Sequence, residues 1–180
     1  MTLVFDGIAN TVAGLAVGGL GTGVVDTATL AAAAVTPVKT QVGVLPSMVR
    51  LDGGNGFGST NTVIRRFTTT VLNQGTDITY ADSATLGATF TINTNGVYAV
   101  TYFDAPLAVA PSGLSLNSSQ LTTGIGGITT TDRLTMATPR AGTDSMAVSW
   151  TGYLAAGAVI RVHTSAGSSA TAAFTIVRIA

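Results

Sequence analysis

The sequence predicts an all-β fold, a sandwich or jelly roll, on three observations. The last third reads as three β runs, at 144–154, 157–164 and 173–180, separated by short turns of Gly, Ala and Ser. Thr occurs 31 times, Glu not at all, and Lys once, at Lys39. Such β-branched bulk, without the long side chains that cover exposed helices, is strand composition. Finally, no amphipathic helical segment separates the strands, as a parallel α/β sheet would require.

Residues 1–46 stand apart. They are rich in Ala, Gly and Val, carry one aromatic residue, Phe5, and end at Pro46. A weak ten-residue repeat aligns Val25 with Val35. The stretch from Leu30 to Val35 could form one helical turn, which Pro37 would stop. The run from Gly7 to Val25 has no charge and approaches the ~20 residues of a membrane span. It also carries Gly14-x-x-x-Gly18 and Gly19-x-x-x-Gly23, the spacing of packed membrane helices. Against a span, Asn10, Thr11 and Thr22 interrupt it, six glycines weaken a helix, and no Lys or Arg precedes Lys39. The expectation is an extended docking arm or stalk lying on a partner surface, with neither membrane insertion nor a secretory signal.

Residues 47–180 are expected to form the head. Strands are predicted at 47–51, 62–72, 85–92, 97–103, 113–116, 133–137, 145–154, 159–164 and 172–179. Turns are predicted at Asp52-Gly-Gly-Asn-Gly, Asn73-Gln-Gly, Asn93-Thr-Asn-Gly and Ala166-Gly-Ser-Ser, where Gly and Asn accept positive φ and Asx side chains close turns. Asn95-Gly96 is the strongest hairpin signal. The final strand runs to the last residue, which predicts that it lies buried beside another.

Several function classes are excluded or disfavoured. Charged residues are 9% and the net charge is zero, with no basic run beyond Arg65-Arg66. Nucleic-acid binding needs clustered cations, so it is not expected. No cysteine is present, which removes disulfides, thiolate catalysis and zinc–cysteine sites. Mean hydropathy is +0.49 and 46% of residues are hydrophobic. A surface so thinly charged predicts oligomerisation.

Catalytic constellations are weak. His163 is the only histidine, it sits inside a predicted strand, and no Gly-x-Ser-x-Gly is present to serve a triad. Asp52-Gly-Gly-Asn55 lacks the ligand count for calcium. Asp77 with Asp82, and Asp132 with Asp144, read as solvated turn acids rather than a glycosidase pair. Gly54-x-Gly56-x-Gly58 lacks the Lys-Ser/Thr ending and the following helix of a phosphate loop. Arg65 and Arg66 should face opposite sides of a strand, one of them meeting an Asp at a subunit seam. No enzyme activity, metal or cofactor is expected.

The order of signals resembles known families. Arg50-Leu-Asp-Gly-Gly-Asn-Gly-Phe-Gly-Ser-Thr-Asn-Thr-Val-Ile-Arg-Arg-Phe67 resembles the opening of trimeric jelly-roll domains in bacteriophage fibres and head-surface proteins. Phe90-Thr-Ile-Asn-Thr-Asn-Gly-Val-Tyr-Ala-Val-Thr-Tyr102 is similar to the core signature of the tumour-necrosis-factor and complement-head superfamily. Leu154-Ala-Ala-Gly-Ala-Val-Ile-Arg-Val162 resembles that family's strand entry, with Ala158 where Asp is common, and Phe174-Thr-Ile-Val-Arg-Ile179 its closing strand. The resemblance spans residues 48–180.

It implies a jelly-roll head, a homotrimer, and a non-enzymatic phage virion protein, a head fibre or decoration protein docked by residues 1–46 to capsid or tail proteins. The alternative is a receptor-binding tail-fibre or spike tip contacting host glycan or surface protein. Tyr98, Tyr102, Trp150, Tyr153 and Phe174 are the candidate trimer-interface residues. Trp150 and Tyr153 could instead stack on sugar, though packing within apolar strands is the plainer reading. The Gly- and Thr-rich loop from Thr122 to Thr131 is the candidate ligand tip, with Thr122, Thr123, Thr129 and Thr130 as contacts.

Overall fold

A computed structural model describes residues 46–141, 144–165 and 170–180, together with the backbone at 4–6 and 11–13. The chain divides into two units, Met1–Val44 and Leu45–Ala180. Within the first, β1 (Val4–Asp6) and β2 (Thr11–Ala13) pair as an antiparallel hairpin, Phe5 opposite Val12. The helical turn at 30–35 and both Gly-x-x-x-Gly spacings lie outside the described residues. Among the described residues, no helix is long and apolar enough to cross a membrane.

The second unit holds ten strands in two antiparallel five-stranded sheets. In chain order they are β3 (Met48–Phe57), β4 (Arg65–Gln74), β5 (Ile78–Ser83), β6 (Gly87–Ile92), β7 (Gly96–Asp104), β8 (Ser112–Leu116), β9 (Arg133–Ala137), β10 (Met146–Leu154), β11 (Val159–Thr164) and β12 (Ala172–Arg178). The first sheet runs β10-β7-β12-β3-β4 and the second β5-β6-β11-β8-β9. From β6 onward the chain passes repeatedly from one sheet to the other, which is jelly-roll winding. The only described helix is a single 3-10 turn, Ile125–Gly127.

Period-two alternation builds the core. Tyr98, Val100 and Tyr102 of β7, Phe174 and Ile176 of β12, and Val49 and Leu51 of β3 point inward and are buried. They meet Phe90 and Ile92 of β6, Leu114 of β8, and Ile160 and Val162 of β11. Phe90 and Phe174 stack across the two sheets at 3.9 Å between ring centroids. Aromatic pairing of this kind adds about 0.5–1.5 kcal/mol beyond area burial.

Three expectations need correction. Asn95-Gly96 is not a hairpin turn, because β6 and β7 belong to different sheets. Gly is required there for another reason: a Cβ on Gly96 would lie 2.4 Å from the Ala180 carbonyl oxygen. Asp52-Gly-Gly-Asn-Gly is not a turn either. It continues β3 through irregular pairing with β4, with Gly53 and Gly56 at φ +70. Such bulges absorb positive φ without ending a strand. Finally, Asp82 sits within β5, a strand the sequence pattern missed. The predicted turn at 166–169 lies outside the described residues.

Candidate functional site

Two surfaces of the head depart from the ordinary. The first is the outer face of the β10-β7-β12-β3 sheet. Residues alternating with the core point away from it, and the register arranges them in rows. One row is Ala147, Phe103, Ala173 and Asp52; the next is Ser149, Thr101, Thr175 and Arg50. The third is Thr151, Ala99, Val177 and Met48, and beyond it Tyr153 stands opposite Val97.

The solvent face of an antiparallel sheet normally carries polar residues. Here the only charges in the rows are Arg50 and Asp52, both on β3. Tyr153 is 64% exposed and Phe103 36%. From strand and row spacings the face covers roughly 500 Å², near the upper end of what a monomer leaves uncovered.

The second surface is the outer face of the other sheet, covered by the connection between β8 and β9. Residues 117–132 fold over β8 and β11, anchored by Ile125 and Ile128, 0% and 3% exposed. Inside the loop, the Gln120 side-chain oxygen Oε1 accepts from the Thr129 backbone N–H at 2.8 Å and from its hydroxyl at 2.9 Å. The Gln120 amide donates to the Gly127 carbonyl at 3.3 Å.

Beneath the loop lies His163, fully buried. Its Nδ1 is 2.9 Å from the Thr123 carbonyl oxygen, and its Nε2 is 2.8 Å from the Ser115 hydroxyl. A carbonyl only accepts, so Nδ1 carries the proton and Nε2 accepts from Ser115. Burial pushes the imidazole pKa down, and the Arg161 charge acts in the same direction against the opposing Thr123 bond. The Ser–His contact has the form of an activated nucleophile. Both side chains are sealed from solvent, so no substrate atom reaches them in this conformation.

The expected interface residues separate sharply. Tyr98, Tyr102 and Phe174 lie in the core of a single chain, at 0%, 1% and 0% exposure. This corrects their assignment to a trimer interface, since a side chain with no exposed area buries none on association. The Tyr98 hydroxyl donates to the Thr94 carbonyl at 2.6 Å, and the Tyr102 hydroxyl to Asp104. Trp150 is half-buried on the inner side of the edge strand β10 and packs against the core. Its ring lies over Gly152, where a Cβ would sit 2.5 Å from it. Of the five, only Tyr153 stands on the outer face of this sheet.

Thr122, Thr129 and Thr130 are exposed on the covering loop, while Thr123 is partly buried and gives its carbonyl to His163. The arginine pair divides as expected: Arg65 is buried and Arg66 partly exposed. The partner of Arg65 is Asp104 of the same chain, at 3.0 Å, and not an Asp across a seam. Arg66 pairs with Asp82 at 2.8 Å and Arg178 with Asp77 at 3.3 Å. Among the described residues, no group of three His, Cys, Asp or Glu could hold a metal. Sequence reasoning missed Ser115 and Asp104, whose partners lie 48 and 39 residues away.

Murine APRIL superposes on this topology with a TM-score of 0.51 at 14% identity, over 75% of this chain and all of that one. The head shares its fold. The globular domain of zebrafish complement 1qA gives 0.48 at 13% identity, over 74% of this chain and 98% of that one. GITRL from bushbaby gives 0.46 at 14%, over 75% and 95%. At such identities the likeness concerns architecture alone. No protein-family model matches the sequence, and no curated protein matches it.

Proposed function

We propose that the head is a non-enzymatic binding module that assembles as a homotrimer through the outer face of β10, β7, β12 and β3. The face bearing Phe103, Thr101, Ala99 and Tyr153, charged only at Arg50 and Asp52 on β3, carries this reading. Apolar area removed from water contributes about 25 cal/mol per Å², and small residues such as Ala99, Ala147 and Ala173 let another surface approach closely. A charge at the centre of the face is the direct test. In sedimentation velocity of the full chain, the parent should sediment as a trimer, and Thr101→Arg should give monomers with an unchanged fold. A parent that stays monomeric at micromolar concentration overturns the reading.

We further propose that the trimer is carried on a phage virion as a head fibre or decoration protein, with residues 1–46 as the docking arm. The support is the resemblance of residues 50–67 to virion jelly rolls and the Gly/Ala-rich composition of the arm. Peptides of this chain in density-purified phage particles, with antibody to the head decorating them, are the expected result. Particles lacking both dispose of the assignment. A receptor-binding tip contacting host glycan is the second reading, favoured by the exposed hydroxyls of Thr122, Thr129 and Thr130. Glycan binding that survives their replacement by Ala removes it.

A further inference from the structure

We propose that the loop at 117–132 is an acid-released cover, latched at neutral pH by the neutral imidazole of His163 between the Thr123 carbonyl and the Ser115 hydroxyl. The inference does not depend on trimerisation or on a virion. It rests on how the loop is held. Three side chains of the underlying sheet reach up to loop carbonyls: His163 to Thr123, Arg161 to Ser118 at 3.4 Å, and Arg133 to Gly126 at 3.4 Å. The arginines stay charged throughout the working pH range. The histidine is the one member of the set that titrates near neutrality.

The closed geometry suits the neutral ring only. Its single N–H meets an acceptor, and its lone pair meets a donor. Protonation adds a second N–H at Nε2. Ser115 would have to turn its hydroxyl to receive it, and that proton would lose its acceptor. The resulting cation would be buried, and burying a charge without a counter-charge is strongly disfavoured. None of the ion pairs among the described residues includes His163.

The charged groups on the neighbouring elements do not offset this. Arg161 lies two residues away on β11 and repels an imidazolium. Arg65 and Arg66, which follow the Ile64 that bridges His163, are engaged by Asp104 and Asp82. At the foot of the loop stand Arg133 and Asp132, the latter accepting from the Thr131 hydroxyl. β6 and β8 contribute no ionisable side chain.

Opening the loop gives the imidazolium water. The open state is therefore favoured as pH falls below about 6.5. Its population rises about tenfold for each unit separating the open and closed pKa values, and levels off below the closed value. What emerges is the pair Ile125 and Ile128, together with the polar outer face of β8 and β11 that carries Ser115, Arg161 and His163.

The test is hydrogen exchange of the full chain, comparing peptides from 117–132 with strand peptides of β7 and β12 at about pH 7.5 and about pH 5, corrected for intrinsic rates. His163 is the sole histidine, so its NMR titration is unambiguous. Loop protection should fall at least about tenfold on acidification while the strands stay protected, and His163→Gln should abolish the difference. Ser115→Ala removes the donor that favours the neutral ring in the closed state, so it narrows the difference between closed and open forms and should shrink the acid response of the loop. Unchanged loop protection in the parent overturns the proposal. So does an acid response retained in His163→Gln, or one that Ser115→Ala leaves undiminished.

Discussion

Arg65 Nη2 lies 3.0 Å from Asp104 Oδ1, and neither side chain has any exposure to solvent. The pair joins the start of β4 to the end of β7, strands at opposite sides of β12 and β3 in one sheet. Asp104 also takes the Tyr102 hydroxyl, and Arg65 sits 5.6 Å from the centroid of the Phe57 ring. Burial, then the Asp104 charge, hold the Tyr102 phenol well above its ordinary pKa.

Breaking this pair should be costly, because the partner left behind is a buried uncompensated charge. Asp104→Ala is expected to lower unfolding free energy by about 3–5 kcal/mol. The double replacement Arg65→Met with Asp104→Leu should recover much of that loss. Urea unfolding of the parent and the two variants checks both statements. A cost for Asp104→Ala below 1 kcal/mol, roughly that of a surface pair, would contradict them.

Gly87 and Gly157 both have positive φ, +81 and +86, yet differ in surroundings. A Cβ on Gly87 would lie 2.5 Å from Ile64 Cγ2 and 2.8 Å from the Ile64 carbonyl oxygen, whereas Gly157 opens onto free space. Gly157→Ala should show only backbone strain, about 1 kcal/mol. Gly87→Ala adds a clash with buried backbone and should cost at least about 3 kcal/mol. Thermal denaturation of the two variants side by side gives the comparison, and equal losses would refute it.

Asp77 should contribute to acid sensitivity. The Thr94 hydroxyl first, then Ser47 and Arg178, hold its carboxyl below the ordinary 3.8. The folded state therefore favours the ionised form. Its contribution is complete above the unfolded pKa and is lost as pH falls through the folded value. The group is partly exposed, so the effect should stay under about 1 kcal/mol. Asp77→Asn should flatten the fall in stability below about pH 4. An unaltered acid profile would show that the contact contributes nothing.

Gln120→Ala should loosen the covering loop without touching the sheets. It removes the two bonds to Thr129 and the one to Gly127. A net loss of about 1–2 kcal/mol in local stability follows from exposed bonds of this kind. Faster exchange confined to 117–132 is the expected readout, and exchange spread equally over β7 and β12 would contradict it.

The strands with a strong inside–outside alternation were legible in the sequence. Tyr98, Val100 and Tyr102 of β7 and Met146 and Val148 of β10 announce themselves by period two. β5 escaped because only Ile78 among its six residues is fully buried, so its pattern is that of a loop. Asn95-Gly96 misled for a different reason. Turn chemistry is local, whereas whether two strands pair depends on which sheet each joins. The buried aromatics were likewise readable as important, but not as interior rather than interface, since both environments select the same residues. Ser115 and His163 meet only through the register of β8 with β11, which no spacing in the sequence reveals.

The placement of β12 between β7 and β3 bears on how the protein is made. β3 is synthesised first among the head strands, yet its inner neighbour is synthesised last. While a ribosome works through the intervening hundred or so residues, Val49 and Leu51 have no strand at that edge to cover them. Closure waits on contacts between distant parts of the chain, the kind that make β domains fold in milliseconds to seconds rather than microseconds. A nascent head is thus most exposed to aggregation just before its final strand emerges. Slowing translation inside the head should lower soluble yield, and chaperone dependence should end abruptly once Phe174 and Ile176 can dock.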